Sequence, residues 1–149
     1  MKCLSVAQPF ADLIISGEKT IELRNWSTNF RGEFLIHSPL KIRRDDCIRL
    51  KMDKKFVTGA IIGKAEIYDI KKYNSLKEIK LDKKFHLSSK KFQNKTYGFM
   101  LRNPKSFRIP VPQKGQLGLF DFKIPKIKNR DIITDIMDKE HSYQLIGHH

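Results

Sequence analysis

Between Gln8 and Arg24 the apolar spacing changes from helical to strand-like across a single glycine. Pro9 suits the start of a helix, where its missing N–H would have no partner anyway. Phe10, Leu13 and Ile14 then share one face at helical spacing. Gly17 stands where a left-handed helix end is expected. Beyond it the period is two: Ile21 and Leu23 face one way, and Thr20, Glu22 and Arg24 the other. A hydroxyl, a carboxylate and a guanidinium therefore line one strand face, with Lys19 at its entrance. The segment commits the chain to mixed α and β structure, and its polar face is the first candidate site.

At 149 residues and 40% apolar content, the chain has enough material for one domain and one core. No run approaches the roughly 18 apolar residues of a membrane span, so no membrane association is expected. The N-terminus lacks a signal peptide's apolar stretch and cleavage site. Cys3 and Cys47 have no partners at metal-ligand spacing, so they read as two reduced thiols in a cytoplasmic protein. No metal or cofactor is expected. Charge is the second strong constraint. Thirty Lys plus Arg against sixteen Asp plus Glu give a net charge of +14. Such a domain attracts polyanions. Its basic residues cluster at Lys41 to Arg44, Lys51 to Lys55, Lys77 to Lys84 and Lys123 to Arg130. Clusters of this kind attract phosphate without reading sequence.

Along the chain, strands are expected at Cys3–Val6, Thr20–Arg24 and Glu33–Ser38. Ser38-Pro39 reads as the start of a basic helix reaching Met52. Phe56–Ile70 is β-rich, with Gly59 and Gly63 marking bulges or a bend. Ser75 and Glu78 have capping-box spacing. Lys80–Lys95 is expected to be a long mobile loop. Thr96–Leu101 and Phe107–Val111 read as two strands, the second an edge because of its prolines. Lys114-Gly115 turns the chain into a last strand, Leu117–Ile124. Ile132, Ile133, Ile136 and Met137 lie at helical spacing.

Three separated blocks resemble the ASCH domain family in order: Leu4-Ser5…Gln8-Pro9-Phe10-Ala11…Gly17-x-Lys19-Thr20-x-Glu22-x-Arg24, then Tyr97-Gly98 with Leu101-Arg102-Asn103-Pro104, then Lys114 to Phe120. The resemblance implies an α+β fold, a PUA-like mixed β-barrel with short helices around it. It covers residues 1–125. Residues 126–149 are a C-terminal extension, expected to be helical and packed on the barrel. It also implies a cleft between the first helix and the barrel, lined by the Gly-x-Lys-x-x-Glu-x-Arg block.

The expected ligand is RNA or another single-stranded nucleic acid, or one nucleotide or nucleoside, bound by a monomer. The candidate binding residues are Gln8, Lys19, Thr20, Glu22, Arg24, Trp26, Arg31, His37 and Lys114. Lys19 and Arg24 suit phosphate or a carbonyl oxygen. Glu22 suits an exocyclic amine, and Trp26 suits base stacking. Glu22 and Arg24 could instead pair with each other, Trp26 could plug the core, and His37 could be a satisfied buried histidine. The enzymatic alternative is a hydrolase acting on nucleosides or RNA, with Lys19 and Glu22 as catalytic residues. Small amidohydrolases of the family carry a nucleophilic threonine where this chain has Glu22, so a covalent threonine mechanism does not carry over. Thr20, His37 and Cys47 assemble no nucleophile–base–orienter set at motif spacing.

Overall fold

The computed structural model describes residues 1–89, 95–123 and 130–137. The elements are β1 (Lys2–Ser5), α1 (Phe10–Ile15), β2 (Ile21–Arg24), β3 (Gly32–Ser38), α2 (Arg44–Arg49), β4 (Ala60–Tyr73), α3 (Leu76–Leu81), α4 (Lys83–His86), β5 (Thr96–Pro112) and β6 (Leu119–Asp121). A further helix, α5, covers residues 130–137. The strands form one sheet in the order β2-β5-β4-β3-β1-β6. Every pairing is antiparallel except β1 with β3. A parallel pair needs a long crossover, and here the segment running through α1 and β2 supplies it.

The expected barrel is not closed. The six strands are an open sheet with β2 and β6 at its two ends. Its strands do not pair evenly. The β4–β5 register shifts between Ile61 and Gly63. A Cβ on Gly63 would lie 2.3 Å from both the Lys105 carbonyl oxygen and Ile15 Cδ1. Only glycine lets β5 and α1 approach β4 there.

The β1 and β3 sequences alternate between two cores. Leu4, Phe34 and Ile36 pack with Phe10, Leu13 and Ile14 of α1 and with Phe99 and Leu101 of β5. Cys3 and Leu35 point the other way, into Ile61, Phe107, Phe120 and the α5 residues Ile132 and Ile136. Both sheet faces are therefore covered. A third cluster joins Ile21 and Leu23 of β2 to Tyr73 and to Ile79 of α3. The α5 helix is pinned by Asp135, which is buried and accepts from the Arg108 backbone N–H and Nε at 2.8 and 2.9 Å.

Four local expectations change. The basic helix spans only Arg44–Arg49. Ser38 ends β3 instead of capping that helix, and its hydroxyl donates to the Val57 carbonyl at 2.8 Å. Within the segment expected to be a mobile loop, Lys83–His86 is a helical turn and His86 is buried; residues 90–94 lie outside the described residues. Thr96–Leu101 and Phe107–Val111 are parts of one 17-residue strand, whose Asn103 takes a left-handed φ of 54°. The capping box is present with a variation. Ser75 Oγ accepts from the Glu78 N–H at 3.2 Å, while the Glu78 carboxylate reaches back to the Asn74 N–H at 2.6 Å. Among the described residues, no helix is long and apolar enough to cross a membrane.

Candidate nucleotide site

The end of α1 and the start of β2 place the polar strand face. Gly17 takes φ +84° after the Ser16 cap, as a left-handed helix end requires. The Lys19 backbone N–H then donates to the Leu13 carbonyl at 2.9 Å and folds the chain back over the helix. This turn drives the Lys19 side chain inward.

Lys19 is 2% exposed. Its ammonium donates to the Ile21 carbonyl at 2.8 Å and to the His86 carbonyl, and it meets Glu22 Oε1 at 3.2 Å. All three protons are thereby used. The same nitrogen lies 4.9 Å from the centre of the Phe10 ring. Burial pulls the Lys19 pKa below the ordinary lysine value, and the Glu22 charge opposes that shift. Glu22 is buried between two cations. Its Oε2 accepts from Arg24 Nε at 3.0 Å and Nη2 at 2.7 Å. Burial pushes the Glu22 carboxyl up, but Lys19 and Arg24 outweigh it and hold the pKa below its ordinary value. Arg24 Nη2 also donates to the Ser5 carbonyl at 2.7 Å, tying β2 to the end of β1.

These groups form one wall of a recess of about 250 Å³. Ser5, Phe10 and Arg43 complete the part that matters for ligand chemistry. Arg43 lies just before α2, with Nε on Asp46 at 2.8 Å and its guanidinium 5.9 Å from the Phe10 ring centre. Asp46 is buried and also accepts from Arg49 at 2.9 Å. Arg24 Nη1 and both Nη groups of Arg43 have no hydrogen-bond partner among the described residues. Two guanidinium groups and an aromatic ring therefore line the recess.

The other sequence-derived candidates lie elsewhere. Gln8 is fully buried; its amide donates to Asp12 Oδ1 at 2.7 Å and Val57 O at 3.2 Å and accepts from the Asp12 N–H at 2.9 Å. Thr20 is held through its backbone by Phe85 and Leu101. Trp26 packs edge-on to Phe99 at 5.1 Å against the main core. Arg31 is exposed and donates to the Thr28 and Phe30 carbonyls. His37 and exposed Lys114 border a second groove of about 700 Å³, which includes Leu40 and Leu117 and shares Ser5 and Pro39 with the recess. Sequence reasoning missed Arg43 as an individual contributor. Its signal was present in the basic cluster Lys41 to Arg44, but nothing in the sequence separates it from its neighbours.

The ring of His37 is fixed from both sides. Its Nε2–H donates to the Gln113 carbonyl at 2.6 Å, because a carbonyl only accepts. Its Nδ1 therefore accepts from the Ser5 hydroxyl at 2.9 Å. Burial holds its pKa below the ordinary histidine value, against the opposing effect of the Gln113 bond.

Comparison with known proteins agrees with this architecture. The ASCH domain profile matches residues 4–110. The ASCH crystal structure from Zymomonas mobilis superposes with a TM-score of 0.62 at 16% identity, covering 89% of this chain and 93% of that one. A serine-to-alanine variant of that protein gives a TM-score of 0.56 at 18% identity, covering 74% and 72% of the two chains. A tyrosine-to-phenylalanine variant gives 0.54 at 19%, covering 74% and 73%. A search of curated proteins finds no match. With a family profile spanning most of its length and the same fold in these structures, this chain belongs to the ASCH domain family.

Proposed function

We propose that this protein binds RNA, taking one nucleotide of a single strand in the recess between α1, β2 and the Arg43 segment. The observation that carries the reading is the pair Arg24 and Arg43, which line one recess and keep guanidinium nitrogens uncommitted to their carboxylate partners. Guanidinium groups suit the planar, multi-oxygen geometry of phosphate. A volume of about 250 Å³ is small for a drug-sized ligand. It suits one phosphate with part of its nucleoside, while the net charge of +14 attracts the remainder of the strand. The membership in a PUA-like family often linked to RNA supports the same class of ligand.

The hydrolase reading built on Lys19 and Glu22 is less well supported by this geometry. Glu22 is clamped by two cations that hold its pKa down, which weakens it as a general base near neutral pH. Lys19 has no proton left for a substrate oxygen. Both act as scaffold for Arg24. The test is a calorimetric titration with a nucleoside 5′-monophosphate and with the matching nucleoside. Tighter binding of the phosphorylated form, by about tenfold or more, is the expected result. Equal affinities would place the phosphate outside the recess and defeat the reading.

A further inference from the structure

We propose that Ser5 is an activated nucleophile, with His37 as its base, that takes the acyl group from an ester of a phosphate-bearing alcohol. The assignment of the phosphate to the recess rests on the nucleotide reading above. The pair arises from the parallel β1–β3 register, which sets Ser5 opposite His37. The hydrogen bonds run in one direction. Gln113 O accepts from Nε2–H, which leaves the Nδ1 lone pair aimed at the Ser5 hydroxyl proton at 2.9 Å. This is the nucleophile–base–orienter logic of acyl-transfer enzymes, with a main-chain carbonyl as the orienter. The histidine is buried and neutral, whereas Ser5 is half-buried and lines both the recess and the adjoining groove.

The surroundings fit the chemistry. Arg24, bonded to the Ser5 carbonyl, stands beside the nucleophile on the same wall, where a guanidinium stabilises a developing oxyanion or holds the phosphate. The Gly115 backbone closes over the pair. A Cβ there would lie 2.8 Å from both Ser5 Oγ and His37 Cε1. The apolar groove with Leu40 and Leu117 begins at the same serine and suits the acyl chain. In the reaction, Ser5 Oγ attacks the ester carbonyl carbon while its proton passes to His37 Nδ1. The C–O bond to the alcohol breaks, and that proton goes to the departing alkoxide. Water then attacks the acyl-serine, releasing the carboxylic acid and restoring the Ser5 hydroxyl.

The experiment treats the full chain with 3′-O-acetyl adenosine and, separately, with 3′-O-acetyl adenosine 5′-monophosphate. Intact-mass and peptide spectrometry locate any acetyl group, and product release gives the rate. The expected result is acetylation at Ser5, absent in Ser5→Ala, slowed by about 10²–10⁴ in His37→Gln, and faster with the phosphorylated ester than with the neutral one. Ser5→Cys keeps the shape and should become acylated even where the serine turns over too quickly to trap. Absence of acetyl in both wild type and Ser5→Cys, with circular dichroism showing both folded, would overturn the proposal. An unchanged rate in His37→Gln would do the same. Equal rates for the two esters would remove the phosphate-bearing substrate class. Calorimetry on the same samples separates the two ideas: Ser5 acylation without nucleotide binding defeats the RNA reading and the phosphate-bearing substrate class but leaves the Ser5–His37 pair standing, and nucleotide binding without acylation defeats the Ser5 proposal alone.

Discussion

Lys19 and Glu22 form a buried ion pair at 3.2 Å in which the lysine's other protons are held by the backbone carbonyls of Ile21 and His86. His86 lies 67 residues further along the chain, so the pair joins the helix α4 turn to the wall of the recess. A lysine that enters a polar strand face from a glycine cap is thus a tie between segments. Its consequence for function is indirect: it holds Glu22, and Glu22 holds Arg24.

Removing one partner of this pair should be costly. Lys19→Met leaves the buried Glu22 with Arg24 alone and strands two carbonyls. Glu22→Gln leaves the buried Lys19 without its counter-charge. Breaking a buried pair in this way costs about 3–5 kcal/mol. Urea unfolding of each variant should show a midpoint well below wild type with an unchanged slope. A loss under about 0.5 kcal/mol, the usual range for a surface substitution, would mean that the pair does not hold the fold.

Acidification should weaken the protein through its buried histidines. His37 and His86 are both held below the ordinary value of 6.5 by burial. Below that pH the unfolded chain takes up protons that the folded chain resists, so stability falls with falling pH. Each residue contributes at most about 1.4 kcal/mol per pH unit. Glu22, held low in the folded state, adds its own loss only further down, as pH falls below its ordinary 4.5 toward its folded value. Denaturation midpoints between about pH 5 and 7 should therefore rise with pH, and His37→Gln should flatten part of the rise. A flat wild-type profile would contradict the buried, neutral assignment of both rings.

RNA affinity should fall steeply with salt. Each phosphate neutralised on a single strand contributes about 0.7 to the log–log slope. With about three to six contacts, the slope should lie near −2 to −4. Fluorescence anisotropy over a salt series measures it, and a slope near zero would remove the electrostatic basis of binding.

Gly63→Ala should destabilise the sheet even though it adds one methyl group. That carbon would collide with the Lys105 carbonyl oxygen and with Ile15. Overpacking of this sort costs about 1–3 kcal/mol, and thermal unfolding reads it directly. An unchanged melting temperature would show that β4 and β5 can part there at no cost.

The elements legible in the sequence are those set by local rules. The period change at Gly17, the Gly63 irregularity and the Ser75–Glu78 cap depend on backbone sterics and near-neighbour hydrogen bonds, and each is present. The basic helix is shorter than the Ser38-Pro39 signal indicates, because Ser38 ends β3 with its hydroxyl on the Val57 carbonyl and the helix begins only at Arg44. That the sheet stays open was not legible, since strand pairing is decided by contacts between distant segments. The site divides in the same way. Lys19, Glu22 and Arg24 do share one wall, as their spacing indicates. Gln8 and Trp26 are taken up by the core, and no local pattern distinguishes a buried amide clamp or an edge-packed ring from a ligand contact. The Ser5–His37 pair depends on a parallel register across 32 residues and has no signature in spacing.

Arg43 is the sharpest probe of the binding account, because it is half exposed and only one of its nitrogens is committed to Asp46. Arg24 is a poorer probe, since its loss would also release Glu22 and the Ser5 carbonyl. The decisive measurement is the affinity of a short single-stranded RNA for wild type, Arg43→Ala and Lys83→Ala at one fixed salt concentration. Lys83 is an exposed residue of α4. The account predicts that Arg43→Ala weakens binding by about 1.5–3 kcal/mol, roughly 10- to 150-fold. Lys83→Ala should stay within about 0.5 kcal/mol of wild type. Equal small losses for both variants, with the fold intact, would mean that RNA is held by diffuse charge and that the recess is not its site.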